Sequence, residues 1–348
     1  MPRIAVIAGD GIGVEVIGGA LQVLRRVNER FGTKLEFVEF DWGAEKYLRE
    51  GITLPDGALQ MLRSEFAAIL LGAMGDPRVP DNRHAADILF GIRFGLDLYA
   101  NVRPVRLLHE KLCPLKNARL EDIRFTIFRE NTEGSYAGIG GSFKKGTPDE
   151  VSVQEEIHTY KGVHRIIEYA FEYARERSLT SVCMSDKSNV MRYAGELWLR
   201  TFDDIKARYP GIKPSHLYID ALALLMIRQP QQFQVIVTNN MFGDIVTDIG
   251  AALQGGLGMA ASGNINPNVT SMFEPVHGSA PPLAGKNIAN PMGAILTSAM
   301  MLEHLGLAEA ARAVEAAVVG CINEDKTTSD IGGRLGTREV AAAVTGKL

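Results

Sequence analysis

A chain of 348 residues is long enough for a large core and for about two domains. Its hydrophobic share of 46% and charged share of 22% are those of an ordinary soluble globular protein, which excludes a disordered or fibrous chain. The net charge of −4, with no basic block, argues against a nucleic-acid partner.

The N-terminal apolar run, Ile4 to Ala8, reads as a first strand and is too short for a signal peptide or membrane span. No membrane partner is expected. Gly9-Asp10-Gly11-Ile12-Gly13 follows and opens a helix from Val14 to about Arg30, with Val16, Ala20, Leu21, Val23, Leu24 and Val27 at helical spacing. A strand, a glycine turn and a helix start invite a dinucleotide reading, but the Gly-x-Gly-x-x-Gly fingerprint is not met. A tight turn needing positive φ accounts for these glycines more simply. Leu35 to Phe40 and Ala67 to Leu71 read as strands, and His84 to Leu98 as a helix holding Leu89, Phe90 and Arg93. The chain then runs extended from Leu98 to Pro104.

Phe125 to Phe128 is a further strand, and the Gly-rich segment after Ala137 reads as an exposed hairpin or arm, near 137–155. A helix over Gly162 to Ser178, a strand over Ser181 to Met184 and a strand end at Leu217 to Asp220 come next. Helices through Leu305 and from Ala308 to Asn323 close the pattern. Alternating strands and helices define an α/β protein. Cys113, Cys183 and Cys321 are far apart and odd in number, which fits neither a disulfide framework nor a zinc site and points to a reducing cytoplasm.

The most informative stretch is Val235 to Asp248. A short apolar strand stops at Asn239 and Asn240, and a helix then sets Asp244 and Asp248 one turn apart on one face. Paired carboxylates without nearby Cys or His suit Mg²⁺ or Mn²⁺, although a solvated helix face gives the same spacing. Arg93, Arg103 and Arg129 lie at or near the ends of apolar elements, where α/β folds bind ligands. Arginine grips carboxylates bidentately, so three of them with an acidic pair suggest a polycarboxylic acid beside a metal.

Several stretches in matching order resemble one family. They are Gly9 to Gly13, Asn101 to Pro104, Arg129-Glu130-Asn131-Thr132-Glu133-Gly134, Asn240 to Asp248, Glu274-Pro275-Val276-His277-Gly278-Ser279-Ala280-Pro281, Asn290-Pro291 and Asp330-Ile331-Gly332-Gly333. The family is the metal-dependent β-decarboxylating dehydrogenases acting on isocitrate, 3-isopropylmalate, homoisocitrate and tartrate or D-malate. The resemblance implies a two-domain fold that is not a Rossmann dinucleotide fold. A discontinuous cofactor-side domain covers 1–98 and 253–348, and a dimerisation domain with the arm covers 99–252.

The resemblance also implies roles. Arg93, Arg103 and Arg129 match the arginines that hold the substrate's carboxylates. Asp244 and Asp248 match metal ligands, and Asp220 a third that the family takes from the partner subunit of a homodimer, where it also contacts substrate. Lys187, likewise from the partner, matches the base for hydroxyl oxidation, and Tyr136 the proton donor to the enol left after CO₂ departs. NAD would lie against Ile12, Glu274, His277, Gly278, Ser279, Ala280, Pro281, Asn290 and Asp330. Pro282 and Leu283 stand where the family reads the cofactor's ribose. They offer no cation for a 2′-phosphate, which favours NAD, and no acid of the usual NAD pattern either.

Substrate choice is expected at Leu89 and Phe90. Apolar side chains there favour an isopropyl group by about 1–3 kcal/mol. The expected order is 3-isopropylmalate first, tartrate or D-malate second and homoisocitrate third. A non-catalytic regulatory subunit is the rival from another class, and retention of Lys187, Tyr136, Asp220, Asp244 and Asp248 together argues against it.

Overall fold

The computed structural model describes residues 1–348. Its first elements are β1 (Arg3–Ile7), α1 (Ile12–Phe31), β2 (Glu36–Phe40), α2 (Ala44–Glu50), α3 (Ala58–Glu65), β3 (Ala68–Leu71) and α4 (Arg83–Gly95). The middle of the chain forms β4 (Ala100–Arg106), β5 (Arg124–Glu130), β6 (Gly140–Phe143), β7 (Val151–Gln154), α5 (Tyr160–Glu176), β8 (Ser181–Asp186), α6 (Arg192–Lys206) and β9 (Lys213–Tyr218). Then come α7 (Ile219–Arg228), β10 (Val235–Thr238), α8 (Asn240–Leu253), β11 (Ala261–Ile265), β12 (Ser271–Pro275), α9 (Met292–His304), α10 (Ala308–Asn323) and α11 (Thr337–Lys347).

Two compact units result. The first holds residues 1–98, 103–123 and 251–348, and the second holds 99–102 and 124–250. In the first unit the strand order is β2-β1-β3-β12-β11. All neighbours are parallel except β11 with β12, where Ser262 stands opposite Glu274. Residues alternate between the faces of a strand. Ala5, Ile7, Ile69, Leu71 and Met272 join Leu62 of α3 and Ile88 and Ile92 of α4 in one core. Their neighbours in sequence face the other way, toward the layer in which α1 packs on α9 and α11. Helix α1 buries Val16, Ile17, Ala20, Val23, Leu24 and Val27 and stops at Gly32 in the left-handed region (φ 62°), whose N–H donates to the Asn28 carbonyl.

The second unit has the order β5-β10-β8-β9, all parallel, with α5 packed on β5, β8 and β10. Strand β10 is wholly buried, as a parallel strand covered on both faces must be. A separate antiparallel pair, β6 with β7, sets Gly140 opposite Gln154 and Phe143 opposite Val151, and every residue of both strands is exposed.

Several features depart from the sequence expectations, among them helices α6 and α11, which no stated pattern marked. Asp220, expected at a strand end, lies in the first turn of α7, because β9 stops at Tyr218. Helices α2 and α3 are seven and eight residues long, too short to show a helical period against their glycine-flanked surroundings. The antiparallel β11–β12 pair was also not anticipated, since small residues such as Ala261, Ser262 and Gly263 give little strand signal.

Ile69 has no solvent exposure and sits at the centre of the first unit's core. Ile69→Ala is expected to cost about 2–5 kcal/mol of stability, read as a lower urea midpoint with an unchanged m-value.

Candidate active site

In the first unit a cavity of ≈ 330 Å³ is lined by Met74, Ala85, Ala86, Leu89, Phe90, Arg93, Arg103, Glu274, His277 and Gly278, among others. Helix α4 supplies its apolar wall, because residues 86, 89, 90 and 93 share one helix face. Leu89 also packs partly against the core, so it both supports the helix and lines the cavity. Phe90 stacks on Phe94 (5.8 Å between centroids, 14°) and lies 5.8 Å from the Arg93 guanidinium.

Arg93 and Arg103 are buried, and Arg93 Nη2 donates to Glu274 Oε1 at 2.5 Å. Asn264 Nδ2 donates to the same oxygen at 2.9 Å. Burial by itself pushes the Glu274 carboxyl up, but the attraction of Arg93, the Asn264 hydrogen bond and the charge of Arg103 together bring it below the usual glutamate range. Arg93 thus meets the Glu274 carboxylate directly and Arg103 acts on it through its charge, so two guanidiniums face the cavity in which an anionic ligand could lie. Glu274, expected on the cofactor side, belongs to this arginine cluster.

The residues expected to hold NAD lie in the same unit. Ile12 N–H donates to the Ser279 carbonyl at 2.8 Å, and a Cβ on Gly11 (φ 56°) would sit 2.1 Å from that oxygen. The glycine turn is thus required by a close approach of protein backbone, not by a phosphate. Ala280 adopts φ 38°, and Pro281, Pro282 and Leu283 form an exposed turn of 3₁₀ helix. Asn290 is buried, donates from Nδ2 to Asp330 Oδ2 at 3.0 Å, and accepts the Met292 N–H that opens α9. Gly278 is exposed. His277 is buried, and burial lowers its pKa, so the ring is neutral at neutral pH. Its Nδ1–H donates to the Gly278 carbonyl at 3.1 Å, which leaves Nε2 as a buried acceptor without a partner. An orphaned acceptor beside an exposed loop fits a ligand with amino or amide donors, as a dinucleotide has.

The second unit brings Arg129, Tyr136, Asn240 and Asp244 together. Arg129 is 2% exposed. Its Nε and Nη2 donate to Asn240 Oδ1 (3.0 and 2.8 Å), and its Nη1 donates to Asp244 Oδ1. Gly243 makes this path possible, since a Cβ there would be 2.5 Å from Arg129 Cγ. The Tyr136 hydroxyl donates to Asp244 Oδ2 at 2.8 Å, and its ring lies 5.1 Å from the Arg129 guanidinium. Burial first, and then the bond to Asp244, raise the Tyr136 pKa, so the hydroxyl keeps its proton. Helix α8 is fixed at its start by Asn239, whose Oδ1 accepts the Phe242 N–H and whose Nδ2 donates to Glu156.

Asp248 follows one turn after Asp244 and is exposed. Lys187 Nζ donates to Asp220 Oδ1 at 2.5 Å in a separate, more open pair, and that bond holds the Asp220 carboxyl below its usual range. No three acidic, histidine or cysteine side chains of this chain converge as a metal-ion set, so Asp220 does not join Asp244 and Asp248. The oxygen-only chemistry of that helix pair suits a hard divalent ion, with further ligands from outside the chain. Asn240 and Asn264 were not anticipated as site residues; Asn239 and Asn240, ending an apolar strand, read as a helix-cap signal, and Asn264 inside β11 carried no signal.

A model of the isocitrate/isopropylmalate dehydrogenase family matches residues 3–344. The 3-isopropylmalate dehydrogenase of Thermobifida fusca is 46% identical over 324 residues, covering 92% of this chain and 91% of the relative. That of Streptomyces griseus is 46% identical over 342 residues, covering 96% and 97%. Among solved structures, isocitrate dehydrogenase from Methylococcus capsulatus matches with a TM-score of 0.88 at 35% identity, covering 100% of this chain and 99% of that one. The chain therefore belongs to the isocitrate/isopropylmalate dehydrogenase family. It is a dehydrogenase, and its α/β fold is the one the sequence resemblance implied.

The depressed Glu274 carboxyl has a consequence for acid stability. A folded-state pKa below the unfolded one stabilises the protein above the unfolded value, near 4.5, and that stability is lost as pH falls through the folded pKa. Glu274→Gln is expected to flatten the fall in thermal midpoint below about pH 4.5, measured by circular dichroism from pH 6 to pH 3.

Proposed function

We propose that this protein oxidises 3-isopropylmalate at its hydroxyl-bearing carbon with NAD⁺ and releases the β-carboxylate as CO₂, giving 2-oxoisocaproate for leucine biosynthesis in the cytoplasm. One observation carries the substrate reading. A cavity walled by Met74, Ala85, Ala86, Leu89 and Phe90 is also lined by the guanidinium-bearing Arg93 and Arg103. An anion with an alkyl branch satisfies both halves of that wall. The names of the relatives point the same way.

Asp244 and Asp248 would hold a divalent Mg²⁺ or Mn²⁺, which would supply Lewis acidity, and bound NAD⁺ would accept the hydride. Arg93, Arg103 and Arg129 bind the malate carboxylates. Lys187 Nζ takes the hydroxyl proton while the hydride leaves the same carbon. The bond to the β-carboxylate then breaks, its electron pair forms the enolate and CO₂ departs. Tyr136, whose raised pKa keeps its proton in place, donates that proton to the enolate carbon.

The same reading makes the protein a homodimer. Helix α7 exposes Leu224 and Ile227, α8 exposes Ile245, and the hairpin exposes Phe143, Val151 and Val153. Apolar side chains in this number on the outside of one unit suit burial by a second copy. A second copy also supplies Asp220 as the third acidic ligand and Lys187 as the base. The exposed Pro282 and Leu283 offer no cation to a 2′-phosphate, which supports NAD over NADP.

The test is NADH formation with 3-isopropylmalate, D-malate, tartrate, homoisocitrate and isocitrate in parallel, with NADP⁺ as the alternative oxidant. The highest kcat/KM is expected for 3-isopropylmalate with NAD⁺, abolished by EDTA and restored by Mg²⁺ or Mn²⁺. A preference for D-malate or tartrate would overturn the substrate reading, and no turnover by a folded dimer would revive the regulatory one. Lys187→Met is expected to lower kcat by at least about 10²-fold with the dimer intact, and retained turnover would sink the base role.

A further inference from the structure

Asp10 and His84 are buried side chains that none of these roles uses. His84, the second residue of α4, has no solvent exposure, and Asp10 is 6% exposed. His84 Nε2–H donates to Asp10 Oδ2 at 2.8 Å, and Gly75 N–H donates to the same oxygen at 2.8 Å. Asp10 Oδ1 accepts from Ala44 N–H, the first residue of α2, at 2.7 Å. The Asp10 N–H in turn donates to the Ala73 carbonyl at 2.7 Å. One carboxylate thus ties the turn before α1, the start of α2, the loop after β3 and the first turn of α4.

Two of those segments lead to the candidate active site. Helix α4 continues into Leu89, Phe90 and Arg93, and the loop after β3 brings Met74 to the same cavity. On the other side, Asp10 is followed by Gly11 and Ile12, which are locked against the Ser279 carbonyl in the loop proposed to hold the dinucleotide. The histidine is a costly choice for a spacer. With Nε2 donating to Asp10, its Nδ1 is a buried acceptor without a partner, a penalty that an apolar side chain of similar volume avoids. What the imidazole adds is a directional bond to Asp10.

Resting on the proposed function, we infer that His84 is a positioning residue that, through Asp10, holds helix α4 in register with the dinucleotide loop around residues 277–283. Affinity for the hydroxy acid and affinity for the dinucleotide are then linked through one buried carboxylate. His84 touches neither ligand. It sets where Leu89, Phe90 and Arg93 stand relative to the loop that Ile12 holds.

The experiment uses the full-length enzyme with His84→Leu, which removes the donor, and His84→Gln, whose amide nitrogen can replace Nε2. KM for 3-isopropylmalate, kcat, the NADH dissociation constant from nicotinamide fluorescence and the thermal midpoint are measured for each. His84→Leu is expected to raise both the KM and the NADH dissociation constant about ten-fold while kcat changes less than about three-fold, and His84→Gln to return both toward wild type. If the Leu variant does not fold, His84→Asn, whose amide is too short to reach Asp10, takes its place with the same expectation. A folded donor-less variant with unchanged KM and NADH affinity overturns the inference. So does a fall in thermal midpoint alone, or a Gln variant as impaired as the Leu variant. If the wild type fails to turn over 3-isopropylmalate, the substrate reading has failed, and the NADH constants of the variants still decide the role of His84.

Discussion

An arginine cannot give up its charge, so a buried guanidinium obliges the fold to bring oxygen acceptors to it. Arg93 and Arg129 are both almost wholly buried, and the polar groups of each unit are arranged around them. In the second unit one amide oxygen, Asn240 Oδ1, accepts two of the Arg129 donors, which anchors the first turn of α8 to β5. Asp244 takes the remaining fork and is itself fixed from the other side by Tyr136. In the first unit Glu274 and Asn264, from the antiparallel β11–β12 pair, meet Arg93 from α4. Removing either carboxylate leaves a buried cation short of a partner. Each cluster therefore constrains the elements that carry it as strongly as any apolar contact does.

The two clusters are not equally neutralised. Each of the three Arg129 nitrogens has an acceptor already in place, so its guanidinium is oriented before any ligand arrives. Arg93 donates to the Glu274 carboxylate through Nη2, while its Nε is buried with no partner. An unsatisfied donor of this kind is unfavourable in isolation and is relieved by an incoming carboxylate. The cavity beside α4, which Arg93 lines, thus favours a ligand that brings an acceptor to that donor. The apolar residues around it limit what that anion's other end can be.

Much of this was legible in the sequence, and what was missed has physical reasons. The apolar periods of α1, α5, β10 and α8 are strong because each element is buried along a full face, and periodicity reports burial. The four-residue spacing of Asp244 and Asp248 needs only helical geometry. The short α2 and α3 and the small-residue strand β11 carry little pattern, since their place is fixed by tertiary contacts. The bond of Glu274 to Arg93 was not legible, because the two lie 181 positions apart in sequence. For the same reason Asn240 was passed over: its neighbours suggest a helix cap, while its oxygen serves Arg129, 111 positions away.

The two groups proposed to move protons differ in how much of their environment one chain supplies. Tyr136 is held by partly buried partners within its own unit, and its raised pKa follows from burial and from Asp244, both of which the chain provides. The Lys187–Asp220 pair differs: its side chains are 27% and 68% exposed, and a pair that open is screened by water and salt. Proton abstraction near neutral pH needs a drier and more cationic setting than solvent gives. Asp220 sits in the first turn of α7, and the same helix exposes Leu224 and Ile227. Whatever surface covers those two apolar side chains also dries the neighbourhood of Asp220 and its lysine. On the proposed reading, the environment of Tyr136 is built into the fold of the single chain, whereas that of Lys187 would be completed by a surface that covers this face.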